Sequence, residues 1–171
     1  MTNSTRNPAL HVTALLLLLL TACNGVDITS SFGNPLTPIE LPDEVEPYPD
    51  NQVLQVAKAQ FAQGNFGHAA RYYERAVELT PQNGEAWLGL AASYDQVRRF
   101  DLADRAYREA GRYLGHRAEY YNGMGYSYML RGELAKAHGQ FLKAQEIDPS
   151  NPTIGNNLQM LRDALAQARQ G

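Results

Sequence analysis

"WLGLAASY" occupies residues 87–94, and "YNGMGYSY" follows at residues 121–128, a second mixture of rings and small residues 34 positions further on. The same offset links small residues elsewhere: Ala57, Ala91 and Gly125; Ala69, Ala103 and Ala137; Ala76, Ala110 and Ala144. Rings recur at Tyr73, Tyr107 and Phe141, and bulky apolar side chains at Phe66, Phe100 and Leu134. A fixed period of this length marks a repeat architecture, in which each unit buries its apolar face only by stacking on its neighbours. Small residues let helix backbones approach closely, and the rings fill the space between helix pairs. The period lays out three units, at 50–83, 84–117 and 118–151.

The first helix of each unit is expected to end near Gly64, Arg98 and Gly132. Glycine at such a position supplies a left-handed cap. Arg98 departs from that pattern and is expected to strain or reshape its turn. Beyond the third unit, "NPTIGNNLQMLRDALAQARQ" places Ile154, Leu158, Leu161, Leu165 and Ala168 four, three, four and three apart. That is one apolar stripe on one helix, and residues 152–171 are therefore predicted to cap the array.

These first-helix stretches resemble the tetratricopeptide repeat, as do the closing prolines Pro81 in "ELTPQN" and Pro149 in "EIDPSN". The resemblance implies an all-α, right-handed solenoid of three helix-turn-helix repeats plus a C-terminal capping helix. Gly115 replaces the closing proline of the middle repeat, so a less rigid junction into the third is expected. The resemblance also implies a concave groove formed by the first helices. Its positions fall on Asn51, Leu54, Lys58, Phe61 and Ala62, then Glu85, Leu88, Ala92, Asp95 and Gln96, then Glu119, Asn122, Tyr126, Met129 and Leu130. We take Leu54, Lys58, Phe61, Leu88, Asp95, Asn122, Tyr126, Met129 and Leu130 as the candidate partner-binding set. Members of the family that clamp a peptide carboxylate do so with several Lys and Asn; here the groove is partly apolar, and its one cation is Lys58.

The N-terminus carries its own signals. Arg6 and the free amine precede an apolar run over residues 9–20, too short for the roughly 20 residues of a spanning helix and consistent with a secretory signal over 1–22. Leu20-Thr21-Ala22-Cys23 resembles the bacterial lipobox, which implies lipidation of Cys23, the chain's single cysteine. Several acyl chains, at about 0.8 kcal/mol per buried CH₂, make a durable anchor. An Asp at the next position would resemble the inner-membrane retention signal of enteric bacteria, so Asn24 implies the outer membrane. Residues 23–49 then form a spacer with Pro35, Pro38, Pro42, Pro47 and Pro49, several acids, and no Lys or Arg. Proline withholds donors and like charges extend the chain, so a folded element is not expected there.

Hydrophobic residues make up 44% of the 171, enough for a core, and the net charge of -3 comes without any basic block. The latter argues against nucleic acid as a partner, because phosphate binding needs clustered Lys and Arg. His68, His116 and His138 lack helical metal-ligand spacing, and there is no second Cys for zinc. Ser93 and Ser127 sit inside helices, without the strand–turn–helix elbow of a serine hydrolase. No catalytic residue, metal, cofactor or small-molecule substrate is therefore expected. The layout resembles the TadD-type lipoproteins of tight-adherence (Flp) pilus assembly and the pilotins that localise secretins. This implies a non-enzymatic scaffold or adaptor lipoprotein with protein partners in the cell envelope, secretin or pilus components among them. The alternative is an adaptor for periplasmic proteases or peptidoglycan enzymes.

Overall fold

A computed structural model describes residues 38–169, and among them are seven α-helices and no strand. Three antiparallel pairs follow one another: α1 (Val53–Ala62) with α2 (Phe66–Leu79), α3 (Gly84–Gln96) with α4 (Phe100–Leu114), and α5 (Ala118–Leu130) with α6 (Leu134–Ile147). A longer helix, α7 (Pro152–Ala168), closes the array. Helices α1, α3, α5 and α7 adjoin in succession as an inner layer, while α2, α4 and α6 each pack between their own partner and the first helix of the next pair. The result is an all-α, tetratricopeptide-like solenoid.

The turn inside each pair is the same device used three times. Gly64 and Gly132 have φ of 80° and 74°, and Arg98 matches them at 61°. Behind each, an amide reaches back five residues: Asn65 N to Gln60 O, Arg99 N to Tyr94 O and Glu133 N to Tyr128 O, all at 2.9 Å. This is the Schellman closure, which satisfies carbonyls left over at a helix end. Arg98 therefore strains its turn without reshaping it; a side chain in the left-handed region costs on the order of 1–2 kcal/mol.

Between pairs the chain is held by side chains. Asn83 Oδ1 accepts from Ala86 N at 3.1 Å, and Asn151 Oδ1 accepts from Thr153 N at 3.0 Å, capping α3 and α7. The indole of Trp87 donates to the Pro81 carbonyl at 2.8 Å. One period later, the Tyr121 hydroxyl donates to the carbonyl of Gly115 at 2.9 Å, so the tie survives the loss of the proline.

The repeating small residues and rings form the core. Ala57, Ala69, Ala91, Ala103, Ala137 and Phe141 are wholly buried, and Tyr73 and Tyr107 nearly so. Gly125 shows why the small positions must be small: a Cβ there would stand 2.5 Å from the Phe141 ring. Trp87 lies at the edge of this core and is only partly buried. On α7, Ile154, Leu158 and Leu161 are buried against Met129, Ala137, Phe141 and Ala144, and Leu165 is partly buried. Ala168, expected to extend the stripe, is exposed, because the stripe runs past the end of the surface that it covers.

The described part of the spacer packs on the solenoid. Residues 38–50 form no helix or strand, yet they are not a free tether: they lie along α2 as a strap. Ile39 N donates to Val97 O at 3.0 Å, Arg71 Nε to Pro42 O at 2.9 Å, and Tyr72 Oη to Glu46 O at 2.9 Å. Arg75 meets the Asp50 carboxylate at 3.3 Å, Tyr48 stands edge-on to Tyr72, and Leu41 and Val45 pack on the core. The physical reason is that prolines pre-extend the segment, so docking costs little chain entropy, while α2 supplies the donors for its carbonyls. The signal, Cys23 and the first part of the spacer lie outside the described residues. No helix among the described residues is long and apolar enough to cross a membrane.

Candidate functional site: the inner helical face

The inner layer presents one row of side chains per first helix. From α1, Leu54, Lys58 and Phe61 are partly exposed; from α3, Leu88, Ala92 and Gln96; from α5, Asn122, Tyr126 and Leu130. Polar links at the partly exposed surface tie these helices together at both ends. Lys58 Nζ bonds Glu85 Oε1 at 2.7 Å, joining α1 to α3, and Asn157 Nδ2 donates to Asn122 Oδ1 at 2.9 Å, joining α7 to α5. The groove's one cation is thus already matched by a carboxylate. What remains is a mostly apolar surface with polar groups at intervals, suited to an amphipathic peptide or helix.

Not every expected groove residue is on that surface. Met129 is completely buried among Ala137, Phe141 and the α7 leucines, because α7 covers this end of α5. Phe61 is partly exposed, but its ring stands edge-on to Phe66 at 5.1 Å, closing the α1–α2 turn. Asp95 is only 2% exposed, since α5 lies across it.

Asp95 instead anchors a polar network that joins the second and third pairs. Its Oδ2 lies 2.9 Å from Tyr107 Oη, whose hydroxyl is also 2.9 Å from the Gly123 carbonyl. Its Oδ1 accepts from Ser127 Oγ at 2.8 Å and stands 3.8 Å from Arg131 Nη2. Arg131 makes a two-pronged pair with Asp104, at 2.6 and 3.0 Å, and its guanidinium lies 4.9 Å over the Phe100 ring. Burial pushes the Asp95 carboxyl up to about 6, against the opposing pull of Ser127, Tyr107 and Arg131. Burial likewise raises the Tyr107 phenol well above its ordinary value. Sequence reasoning missed this network, although the register held a signal. Arg131 occupies the position where the buried Val97 stands one period earlier, and Asp95 falls between Phe61 and Met129 in its own series. A charge in an apolar register position has to be paid by partners from neighbouring helices.

Among the described residues no group of three or more His, Cys, Asp or Glu could hold a metal ion.

Comparison with known proteins agrees with this geometry. Tetratricopeptide-repeat family profiles match residues 50–93 and 118–151. Human tetratricopeptide repeat protein 7B is 31% identical over 91 residues, covering 53% of this chain and only 11% of that protein. The first tetratricopeptide domain of Spaghetti (RPAP3), bound to the HSP90 peptide SRMEEVD, superposes with a TM-score of 0.59 at 20% identity, covering 73% of this chain and 99% of that one. The type III secretion chaperone SycD of Yersinia enterocolitica, in complex with a peptide of the translocator YopD, gives 0.57 at 20% identity, with 70% and 92% covered. Residues 50–93 and 118–151 are thus similar to tetratricopeptide repeats, and the fold is the solenoid that such repeats build.

Proposed function

We propose that this protein is a lipid-anchored scaffold of the bacterial cell envelope that holds protein partners in the groove of its inner helical layer. The observation that carries this reading is the row of partly exposed apolar side chains on successive first helices, Leu54, Leu88, Tyr126 and Leu130, with little charge left unpaired beside them. Similar solenoids in RPAP3 and SycD are seen with peptides bound, which supports a peptide segment as the occupant here. Cys23, in its lipobox-like setting, supplies the anchor, and Asn24 directs the protein to the periplasmic face of the outer membrane. In this setting the partners are components of a pilus or secretion machine of the tight-adherence type, a secretin or assembly factor among them.

One experiment addresses groove and anchor together. A photo-crosslinking amino acid at Ala92, in the middle of the groove, is expected to trap one envelope protein in cells. Replacing Leu88 and Leu130 by Ala should remove that product while leaving thermal unfolding unchanged. In the same cells Cys23→Ala should abolish palmitate labelling and release the protein from the membrane fraction. Crosslinks that survive the groove substitutions would place the partner elsewhere, and undiminished labelling of the Cys23 variant would remove the anchor.

A further inference from the structure

Opposite the groove, the outer layer has an opening of about 530 Å³ between α4 and α6, floored by Tyr120, Tyr121 and Met124 of α5. Its origin is legible in the repeat register. Buried Val77 on α2 is replaced one period later by Gly111, and the indole of Trp87 by the smaller ring of Tyr121. A Cβ on Gly111 would stand 2.7 Å from the Tyr120 hydroxyl, so the glycine makes room for that ring.

The opening is basic and has an unmet hydrogen-bonding need. Arg108 and Lys143 line it with no carboxylate within ion-pair distance among the described residues, and Lys143 lies 5.5 Å over the Tyr121 ring. Arg112, the third cation, is matched by Glu109 at 2.7 Å. Gln140 Oε1 is buried and receives no hydrogen bond. An orphan acceptor of this kind stays unfavourable until a donor arrives.

The molecule itself shows what such a surface holds. Two periods before Gln140 and Lys143 stand Tyr72 and Arg75, the α2 residues that grip the acidic, proline-rich strap at Glu46 and Asp50. We propose that the cleft between α4 and α6 is a second docking site, for an acidic, extended peptide segment of a partner protein. With the Gln140 amide turned into the cleft, its Oε1 accepts from a backbone N–H of that segment, whose carboxylates meet Arg108 and Lys143. A phosphodiester group would satisfy the cations but brings no donor of its own for Gln140, whereas nearly every residue of an extended peptide carries a backbone N–H beside its carboxylates.

The test is fluorescence polarisation on the full chain, with a labelled synthetic peptide of residues 38–50 as probe. A counterpart with every Asp and Glu replaced by the amide, and vesicles of phosphatidylglycerol, complete the set. The acidic peptide is expected to bind at least ten-fold more tightly than its amide counterpart. Arg108→Ala with Lys143→Ala should weaken it ten-fold or more. Gln140→Leu, which keeps the cations and is a milder change to the helix, should weaken it several-fold. Leu130→Ala in the groove and Arg75→Ala under the strap should leave it unchanged. Loss of binding in either control instead, equal binding of the amide peptide, binding to vesicles in preference to peptide, or no peptide binding at all would overturn the site.

Discussion

Asp95 shows how far a single residue's behaviour departs from its type. An aspartate on a helix is ordinarily a solvated carboxylate, but here α5 removes the water and Tyr107, Ser127 and Arg131 take its place. With the carboxyl raised to about 6 from an ordinary 3.8, the folded state binds this proton more tightly than the unfolded chain does. The linked stability is therefore fully present below about pH 4 and is lost as pH rises through 6. At about 1.4 kcal/mol per unit, the change amounts to about 2–3 kcal/mol. Urea unfolding between pH 4 and 8 should show it, and Asp95→Asn should flatten that part of the profile. Identical pH slopes in the two proteins would mean that Asp95 does not govern this junction.

At the scale of the element, α7 and the strap solve the same problem at opposite ends. A solenoid stops only where something covers the apolar face that the next repeat would have covered. The strap does so with prolines, two apolar contacts and three side-chain ties from α2. α7 does so with a helix whose buried side carries Ile154, Leu158 and Leu161 and whose other side is mostly polar. Ending the chain at residue 151 would uncover Met129, Phe141 and their neighbours. Because about three repeats are the minimum for a stable array, the shortened protein should melt at lower temperature or aggregate. A calorimetric scan that matches the intact chain would show that α7 is dispensable as a cap.

Across the whole molecule, neighbouring residues on one helix divide between holding the fold and serving the partner. Met129 is completely buried and Leu130, next to it, faces the groove side in part. Met129→Ala leaves a cavity in the second core cluster and should cost about 2–5 kcal/mol, a large share of the roughly 5–15 kcal/mol that stabilises a domain. Leu130→Ala removes surface apolar area and should leave the unfolding midpoint almost unchanged while weakening capture in the groove. Parallel denaturant titration of the two variants checks the division: equal destabilisation would make Leu130 a core residue and shift the groove away from it.

The 34-residue period was enough to read a repeat architecture, because it is written in residue size: alanines and glycines where backbones touch, rings where they do not. The left-handed turns were equally legible, and Arg98 entered that geometry despite its side chain because its own sequence neighbours close the turn. The groove was legible as a set of helix positions but not as a set of exposed side chains. Phe61, Asp95 and Met129 hold the same register position, yet one closes a turn, one anchors a buried polar network and one fills the core. Periodicity reports which side of a helix a residue occupies, whereas burial depends on what lies across that side. Only the packing of α5 over Asp95, of α7 over Met129 and of the strap over Tyr72 decides that, and each of these contacts joins segments too far apart in the chain for a local pattern to register.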